Sequence, residues 1–176
     1  MKQLLLLLFV SFSCTISAQH KNIPQAEAVK TIDGIITKML QLLSVEKGNA
    51  IDTESLKELF LPNATFSVLA NDPEYPYPLE TVNLEDFVTS LKDSYYENGF
   101  SEIEIGKVVH EFNGIASVFQ SFYAIDSEKT EVRGINSYQL VYLKNRWWIS
   151  NLLWTFETDT VKIPKQYLQS EKTKKQ

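Results

Sequence analysis

The chain has 176 residues, of which 44% are hydrophobic and 12% aromatic, and its formal net charge is −5. This composition is typical of a globular domain and excludes an intrinsically disordered chain. Basic residues form no stripe outside Lys172–Lys175, so the charge pattern argues against nucleic-acid binding. The single cysteine, Cys14, lies near the N-terminus, so the remainder of the chain has neither a disulfide nor a thiol nucleophile.

The N-terminus has the pattern of a secretory signal peptide. Lys2 supplies a positive charge, and the apolar run Leu4–Phe12 is too short for a membrane span, which needs ~20 residues. Small residues precede Gln19, and we predict cleavage after Ala18. We therefore expect a signal peptide at 1–18, one exported domain at 19–168, and a disordered basic tail at 169–176.

Cys14 offers a second interpretation of the same segment. It could be the lipid-accepting cysteine of a bacterial lipoprotein, which would place the protein on a membrane. Lipoprotein signals carry Leu three residues before that cysteine, and this chain has Ser11 there. We favour soluble export to the periplasm or the medium, with membrane attachment only if Cys14 is lipidated.

Helical periodicity marks the first part of the chain after the leader. A helix is predicted from Pro24 to Gly48-Asn49 by a single apolar stripe at spacings of three and four, formed by Val29, Ile32, Ile36, Met39, Leu40 and Leu43. Asp52 or Thr53 begins a second short helix, which Pro62 ends.

A strand, a loop and a third helix follow. Ala64–Leu69 is predicted as a strand, and Asn71–Pro78 holds three prolines and cannot be regular structure. Asn83–Tyr96 is predicted as a helix that Gly99 closes.

From Phe100 onward the hydrophobic period changes to two. Four strands are predicted in this part: Ser101–Phe112, Ile115–Ile125, Arg133–Leu143 and Trp147–Phe156. Asn113-Gly114 is a strong tight-hairpin signal, and the other links are also short, so the strands should be antiparallel neighbours. This order indicates an α+β fold in which a strongly bent, mostly antiparallel sheet wraps around the N-terminal helices as a cone-shaped barrel. Such a cone is a natural small-molecule pocket.

The C-terminal third carries a family resemblance. The segments that carry it are Arg133–Leu140, Arg146–Ile149 and Ile163–Leu168, together with Ser150, Trp154 and Glu157. This pattern resembles the bacterial SnoaL-like proteins of the nuclear-transport-factor-2-like superfamily, and the element order of the whole mature chain fits that fold. The resemblance implies a cone-shaped α+β barrel that forms a homodimer through its sheet.

The resemblance leaves function open, because the superfamily includes polyketide cyclases, ketosteroid isomerases, dehydratases and non-catalytic binding proteins. Its better-known enzymes use a pocket Asp or His as base, with Tyr or Asp donors to an oxyanion. That set does not map onto numbered positions of this chain.

His110 is the one candidate base that the residues themselves suggest. It is the only histidine outside the N-terminal segment, since His20 adjoins the cleavage site, and it stands beside Glu111 near a strand end. A carboxylate can tune a histidine as a general base. The alternative is a surface or structural histidine. One histidine without Cys or clustered Asp makes no metal site, and we expect neither a metal nor a cofactor.

Five residues are candidates for ligand binding. Tyr123, Arg133, Ser137 and Gln139 come from neighbouring strands, and Trp154 lies on the last strand. If their faces coincide and point inward, they form a polar patch within an apolar cone. If they face outward, they support a dimer between sheets. Gln120, Asn136 and Tyr138 lie on the opposite face, and the sequence does not orient the sheet.

Three functions remain as hypotheses. The leading one is an exported module that binds a small apolar molecule of unknown identity inside the cone. The second is an acid–base enzyme of the isomerase, cyclase or dehydratase type, with His110 as base and Tyr123 or Arg133 at an oxyanion. The third is a protein-interaction domain that uses its outer sheet face.

Overall fold

The computed structural model describes residues 23–70, 79–93, 96 and 98–168. The predicted signal peptide with Cys14, the proline-rich loop at 71–78 and the predicted tail at 169–176 lie outside the described residues. Within the described part of the chain, no helix reaches the length and apolar character needed to span a bilayer.

Four helices and six strands make up the described fold. The helices are α1 Gln25–Ala28, α2 Ile32–Leu43, α3 Thr53–Lys57 and α4 Leu84–Ser90. The strands are β1 Phe60–Leu69, β2 Leu79–Asn83, β3 Ser101–Phe112, β4 Ile115–Ile125, β5 Glu131–Leu143 and β6 Arg146–Phe156. A 3₁₀ turn, Lys165–Tyr167, follows the last strand.

All six strands join one sheet in the order β2-β1-β6-β5-β4-β3. Strand β1 runs parallel to β6, and every other pairing is antiparallel. The bent sheet closes around α2, whose predicted apolar stripe is buried against it. The predicted α+β cone is therefore confirmed. Strands β3–β6 are antiparallel neighbours, as the short turns between them predict.

The first predicted helix is two helices. The chain leaves the helix after Ala28, and Thr31 begins α2 by accepting a hydrogen bond from the Gly34 amide at 2.9 Å through its side chain. A Cβ at Gly34 would collide with the Ala28 carbonyl and the Thr31 hydroxyl, so the glycine permits this tight corner. Val29, which lies between the two helices, is also buried. The apolar stripe therefore continues across the corner, and the sequence pattern does not reveal the break.

The predicted start of β1 and the predicted end of α4 differ from the observed ones, and β2 is absent from the predicted elements. Strand β1 begins at Phe60 rather than Ala64, and Pro62 falls where the pairing with β6 is irregular, so its missing N–H breaks no regular ladder. Strand β2 was not predicted because it is an exposed edge strand without an alternating apolar face. Helix α4 ends at Ser90, earlier than the predicted Tyr96.

Candidate functional site

A cavity of about 230 Å³ lies between α2, α4 and the inner face of the sheet. Its wall is mainly apolar, and half of its lining residues are aromatic: Phe87, Tyr96, Phe100, Phe122, Tyr138, Trp154 and Phe156. Polar atoms enter this wall through Glu102 and Asn136 as well as the two tyrosines. This combination of an apolar concave surface with a few polar groups is typical of a small-molecule site.

Glu102 is fixed at the start of β3 by the end of helix α2. Its backbone N–H donates to Ser44 Oγ at 3.1 Å, and Ser44, which follows α2, donates to the Glu102 carbonyl at 3.4 Å. Next to this contact, Val45 and Phe100 exchange two backbone hydrogen bonds of 2.8 and 2.9 Å. The helix end and the strand start are thus joined, which holds the carboxyl group at the cavity.

Two buried amides orient the Glu102 side chain. Asn136 Nδ2 donates to Glu102 Oε1 at 2.7 Å and to Gln120 Oε1 at 2.9 Å. Gln120 in turn donates through Nε2 to the Ser121 carbonyl at 2.9 Å. Gln120 is fully buried and Asn136 is 6% exposed. Buried amides with satisfied partners hold a single arrangement, so the carboxyl group is pre-positioned.

Tyr138 contributes an unusual hydroxyl group. Its side chain is fully buried, and its oxygen has no hydrogen-bond partner among the described residues. Buried polar atoms are nearly always paired, because an unpaired one costs about 1–3 kcal/mol. Because Tyr138 also lines the cavity, this hydroxyl is an unused hydrogen-bonding group beside the space that a ligand would fill.

Burial at the cavity raises the pKa of both Glu102 and Tyr138. Burial raises the pKa of Glu102 to about 7, and the hydrogen bond from Asn136 only partly opposes this. The side chain keeps some accessible surface because it faces the cavity, while protein atoms surround it on its other sides. Burial, followed by the negative charges of Glu102 and Glu104, raises the pKa of Tyr138 well above its usual range. Glu102 can therefore exchange a proton near neutral pH, and Tyr138 remains a hydrogen-bond donor.

A charged cluster adjoins these groups on β3. Lys107 Nζ lies 3.0 Å from Glu104 Oε2 and 3.0 Å from Asp33 Oδ1. One cation is thus shared between two carboxylates, and it does not pair with Glu102. No group of three or more His, Cys, Asp or Glu side chains in the described ranges is arranged to hold a metal ion.

The structure brings one of the predicted ligand residues to the cavity. Trp154 lines it, where its ring meets Phe87 edge to face at 6.4 Å. Tyr123, Arg133, Ser137 and Gln139 lie on the outer face of the sheet, opposite the cavity.

On the outer face these residues make structural contacts. Arg133 forms an ion pair with Glu157 at 3.7 Å, and Gln139 Nε2 donates to Ser117 Oγ at 3.1 Å. Tyr123 hydrogen-bonds to Glu131, which raises its pKa. The polar patch expected from these residues inside the cone is thus corrected, since the opposite face of the same strands supplies it.

His110 also lies on the outer face. It is exposed near the end of β3, in register with Ser117, and does not line the cavity. The histidine assigned as candidate base therefore has no access to the interior of the cone.

Sequence reasoning missed Glu102 and left the inner-face set unassigned. A signal was present in β4, where Gln120 is the one polar residue in a row of small and apolar side chains, Ala116, Val118, Phe122 and Ala124. A lone amide in such a row indicates a buried polar partner. Nothing comparable marks Glu102, because Glu102 and Glu104 alternate with Ile103 and Ile105, a pattern that places the carboxylates on the solvent face of a strand.

The same architecture occurs in solved structures of distant sequence. A candidate scytalone dehydratase from Novosphingobium aromaticivorans has a TM-score of 0.54 at 14% identity, over 84% of this chain and 95% of that chain. Two nuclear-transport-factor-2-like proteins of unknown function, from Silicibacter pomeroyi and Shewanella baltica, have TM-scores of 0.53 and 0.52 at 12% and 11% identity. Each covers 77% of this chain, and the matches cover 100% and 95% of those two chains.

The fold and the cavity define an α+β cone with a partly open, mainly apolar pocket on its inner side. Its fold is the nuclear-transport-factor-2-like fold. No protein-family model matches the chain, and no curated protein matches its sequence.

Proposed function

We propose that the protein binds a small, mainly apolar molecule in the cone. The observation that carries this proposal is the aromatic cavity whose wall holds a buried hydroxyl, that of Tyr138, without a partner. A ligand of matching shape would bury the aromatic surfaces and pair the hydroxyl. The cavity is smaller than the ~300–1,000 Å³ that hold drug-sized molecules, which favours a ligand of one ring.

Blocking the cavity tests this proposal. Native mass spectrometry of residues 19–176 should detect a retained small molecule, or thermal shift should detect binding of one-ring aromatic probes. Val132→Trp should abolish either signal because Val132 lines the cavity. Val141→Trp is the matched control, since Val141 lies on the outer face of the same strand. Equal binding by both variants would refute a site in the cone.

Acid–base catalysis on the bound molecule is a second candidate function. It is favoured by Glu102, whose pKa of about 7 suits a general base at neutral pH, and by the Tyr138 hydroxyl in the same wall. Glu102 would take a proton from carbon next to a ligand carbonyl, and Tyr138 would donate to the oxygen that gains charge. In this scheme Glu102 replaces His110 as base. If activity were found, Glu102→Gln should abolish it while His110→Ala should leave it unchanged.

Assembly through the outer sheet face is a further proposal. This face exposes Phe119, Leu153 and Ile103, each about 40% accessible, on three strands of the sheet. Phe119 and Leu153 lie on either side of Ser137, and the Phe119 ring also contacts Tyr167 at 5.5 Å. Exposed apolar side chains on one face favour association, either with a second copy or with another protein. Light scattering of the wild type should show a dimer, and Leu153→Glu should convert it to a monomer. A wild type that stays monomeric at high concentration would contradict the homodimer.

We further propose that the protein belongs to the SnoaL-like group and that it is exported. The C-terminal pattern around Arg146–Ile149 supports membership of the SnoaL-like group. The leader favours export to the periplasm or the medium, and lipid attachment at Cys14 is the alternative. Intact mass of the protein from a bacterial host distinguishes cleavage after Ala18 from a lipidated Cys14.

A further inference from the structure

We propose that the cavity is selective for small organic cations, specifically one-ring amines, whose ammonium group binds between the Glu102 carboxylate and the aromatic wall. The inference rests on the proposed small-molecule binding and names the charge class of the ligand.

The described wall of the cavity carries an acidic group and no basic one. Among the described residues that line the cavity there is no Lys, Arg or His, and Glu102 is the one carboxyl group. None of the ion pairs within the described ranges includes Glu102. A buried carboxylate without a cation gains much from a ligand that brings one.

The surrounding charges do not compensate Glu102. The nearest described cation on the same strand, Lys107, is held by both Glu104 and Asp33. Together these three groups carry one negative charge, so they add no positive charge to the cavity side of β3. At Tyr138, burial and then the negative charges of Glu102 and Glu104 disfavour ionisation of the hydroxyl, so this part of the cavity wall is electronegative. An anionic ligand would be repelled here, whereas a cation would be attracted.

The aromatic wall favours a cation over a neutral polar molecule. Trp154, Phe87 and Phe122 line the cavity beside the polar groups. The faces of aromatic rings attract an ammonium group within about 6 Å, and the interaction strengthens when the cation is desolvated. An aromatic wall with a single carboxylate therefore provides both parts of an ammonium site.

Hydrogen bonding points to the same ligand. Asn136 occupies Glu102 Oε1 and fixes the carboxylate, and the Tyr138 oxygen has no partner among the described residues. An ammonium group carries three N–H donors, so it can donate to Glu102 and to the Tyr138 oxygen together. A carbonyl ligand could accept from Tyr138 but would offer nothing to an ionised Glu102.

The volume limits the size of the amine. A cavity of about 150 Å³ holds one benzene molecule, and this cavity of about 230 Å³ has room for one ring and a short substituent. Benzylamine, benzyl alcohol and benzoate share that ring and differ chiefly in charge. They are therefore matched probes of the site.

The test is calorimetric titration of these three probes at pH 8, where Glu102, with a pKa of about 7, is mainly ionised. Benzylamine should bind about tenfold or more tightly than benzyl alcohol, and benzoate should not bind. Glu102→Gln should remove the preference for benzylamine and leave the affinity for benzyl alcohol within about twofold. Glu111→Gln, an exposed change on the same strand, should change neither affinity.

The outcomes separate the two proposals. If benzyl alcohol binds as well as benzylamine, or if Glu102→Gln keeps the preference, selectivity for amines is wrong and small-molecule binding stands. If no probe binds the wild type, both proposals fail for one-ring ligands. Should Glu102→Gln not fold, the comparison of the three probes on the wild type decides the question without it.

Discussion

Asn136 on β5 donates a 2.7 Å hydrogen bond to Glu102 on β3, across the intervening strand β4. The two residues are 34 positions apart, and their strands are not neighbours. The bond forms because the sheet bends around α2 and brings inner-face side chains together. Gln120 on β4 accepts from the same Asn136 amide and completes a link across three strands.

Removing the Asn136 amide should affect both of its acceptors. Asn136→Leu leaves Gln120 Oε1 buried without a donor, and we expect a loss of about 1–3 kcal/mol in the free energy of unfolding. The pKa of Glu102 should rise further, because the hydrogen bond from Asn136 lowers it. Urea unfolding and carboxyl ¹³C NMR titration measure the two effects.

The control for that change is Gln139→Leu on the same strand. Gln139 is exposed and donates only to Ser117 on the outer face, so stability should change by less than about 0.5 kcal/mol. An unchanged Glu102 titration in Asn136→Leu would show that the two side chains are not hydrogen-bonded in solution.

Glu102 should make stability depend on pH. Its pKa is about 7 in the folded protein against an ordinary 4.5, so the folded state binds the proton more tightly. The stability that this proton contributes is fully present below pH 4.5 and is lost as pH rises through 7. At ~1.4 kcal/mol for each pKa unit, the rise in pKa from 4.5 to about 7 sets an upper limit of about 3.5 kcal/mol on the loss attributable to Glu102.

Comparison with Glu102→Gln isolates this contribution. Urea unfolding at pH 5 and pH 8 should show a larger drop for the wild type than for the variant, which cannot titrate at this position. Parallel behaviour of the two proteins would mean that the Glu102 carboxyl is solvated in the folded state.

Tyr138→Phe should stabilise the protein in the absence of ligand. The change removes a buried hydroxyl that has no partner among the described residues and keeps the ring in the core. We expect a gain of about 1 kcal/mol or more in the free energy of unfolding. Thermal and urea unfolding report the change, and benzylamine affinity should fall because one acceptor is lost.

Tyr142→Phe is the matched control, since Tyr142 is exposed and its hydroxyl donates to Asn145 at 2.9 Å. It should be neutral or slightly destabilising. A Tyr138→Phe protein less stable than this control would indicate that the Tyr138 hydroxyl is paired, for example by bound water.

Gly106→Ala should displace the C-terminal segment from the sheet. A Cβ at Gly106 would collide with the backbone of Tyr167 and Leu168, which lies directly over this strand. The Tyr167 carbonyl is also held there by Ser121 Oγ at 2.8 Å. We expect a loss of about 2 kcal/mol or more and faster proteolysis near residue 167. Ser101→Ala, an exposed change on the same strand, should be neutral, and an equally small effect of Gly106→Ala would refute the close docking.

Local sequence signals predicted much of the fold because each reports on its own neighbourhood. The four C-terminal strands follow from period-two patterning, and Asn113-Gly114 forms the expected hairpin turn with positive φ at both residues. The predicted elements differ from the observed ones where one apolar stripe runs over two helices, or where a strand has no apolar pattern. The buried Val29 hid the corner before Thr31, and the exposed edge strand β2 has no alternating apolar face.

The candidate site could not be predicted to the same extent. Alternation correctly grouped Gln120, Asn136 and Tyr138 on one face, and Ser137 and Gln139 on the other, but it is symmetric between inside and outside. Register shifts also make the inner face hard to predict. At the irregularity between Gln139 and Leu140, the pairing of β5 with β6 moves by one residue of β6, so the inner and outer positions of β6 exchange. Glu102 carried no signal at all, because its burial depends on α2, which lies nearly sixty residues earlier in the chain.

By itself, the sequence determined the α+β class, the antiparallel order of β3–β6 and the buried stripe of α2, since these follow from periodicity and turn chemistry within short windows. Only the tertiary structure decided which face of the sheet is the inside of the cone. It also placed Glu102 and Asn136 in contact and left Tyr138 unpaired among the described residues. These are properties of packing between distant segments, because burial and hydrogen-bond satisfaction depend on what the bent sheet encloses.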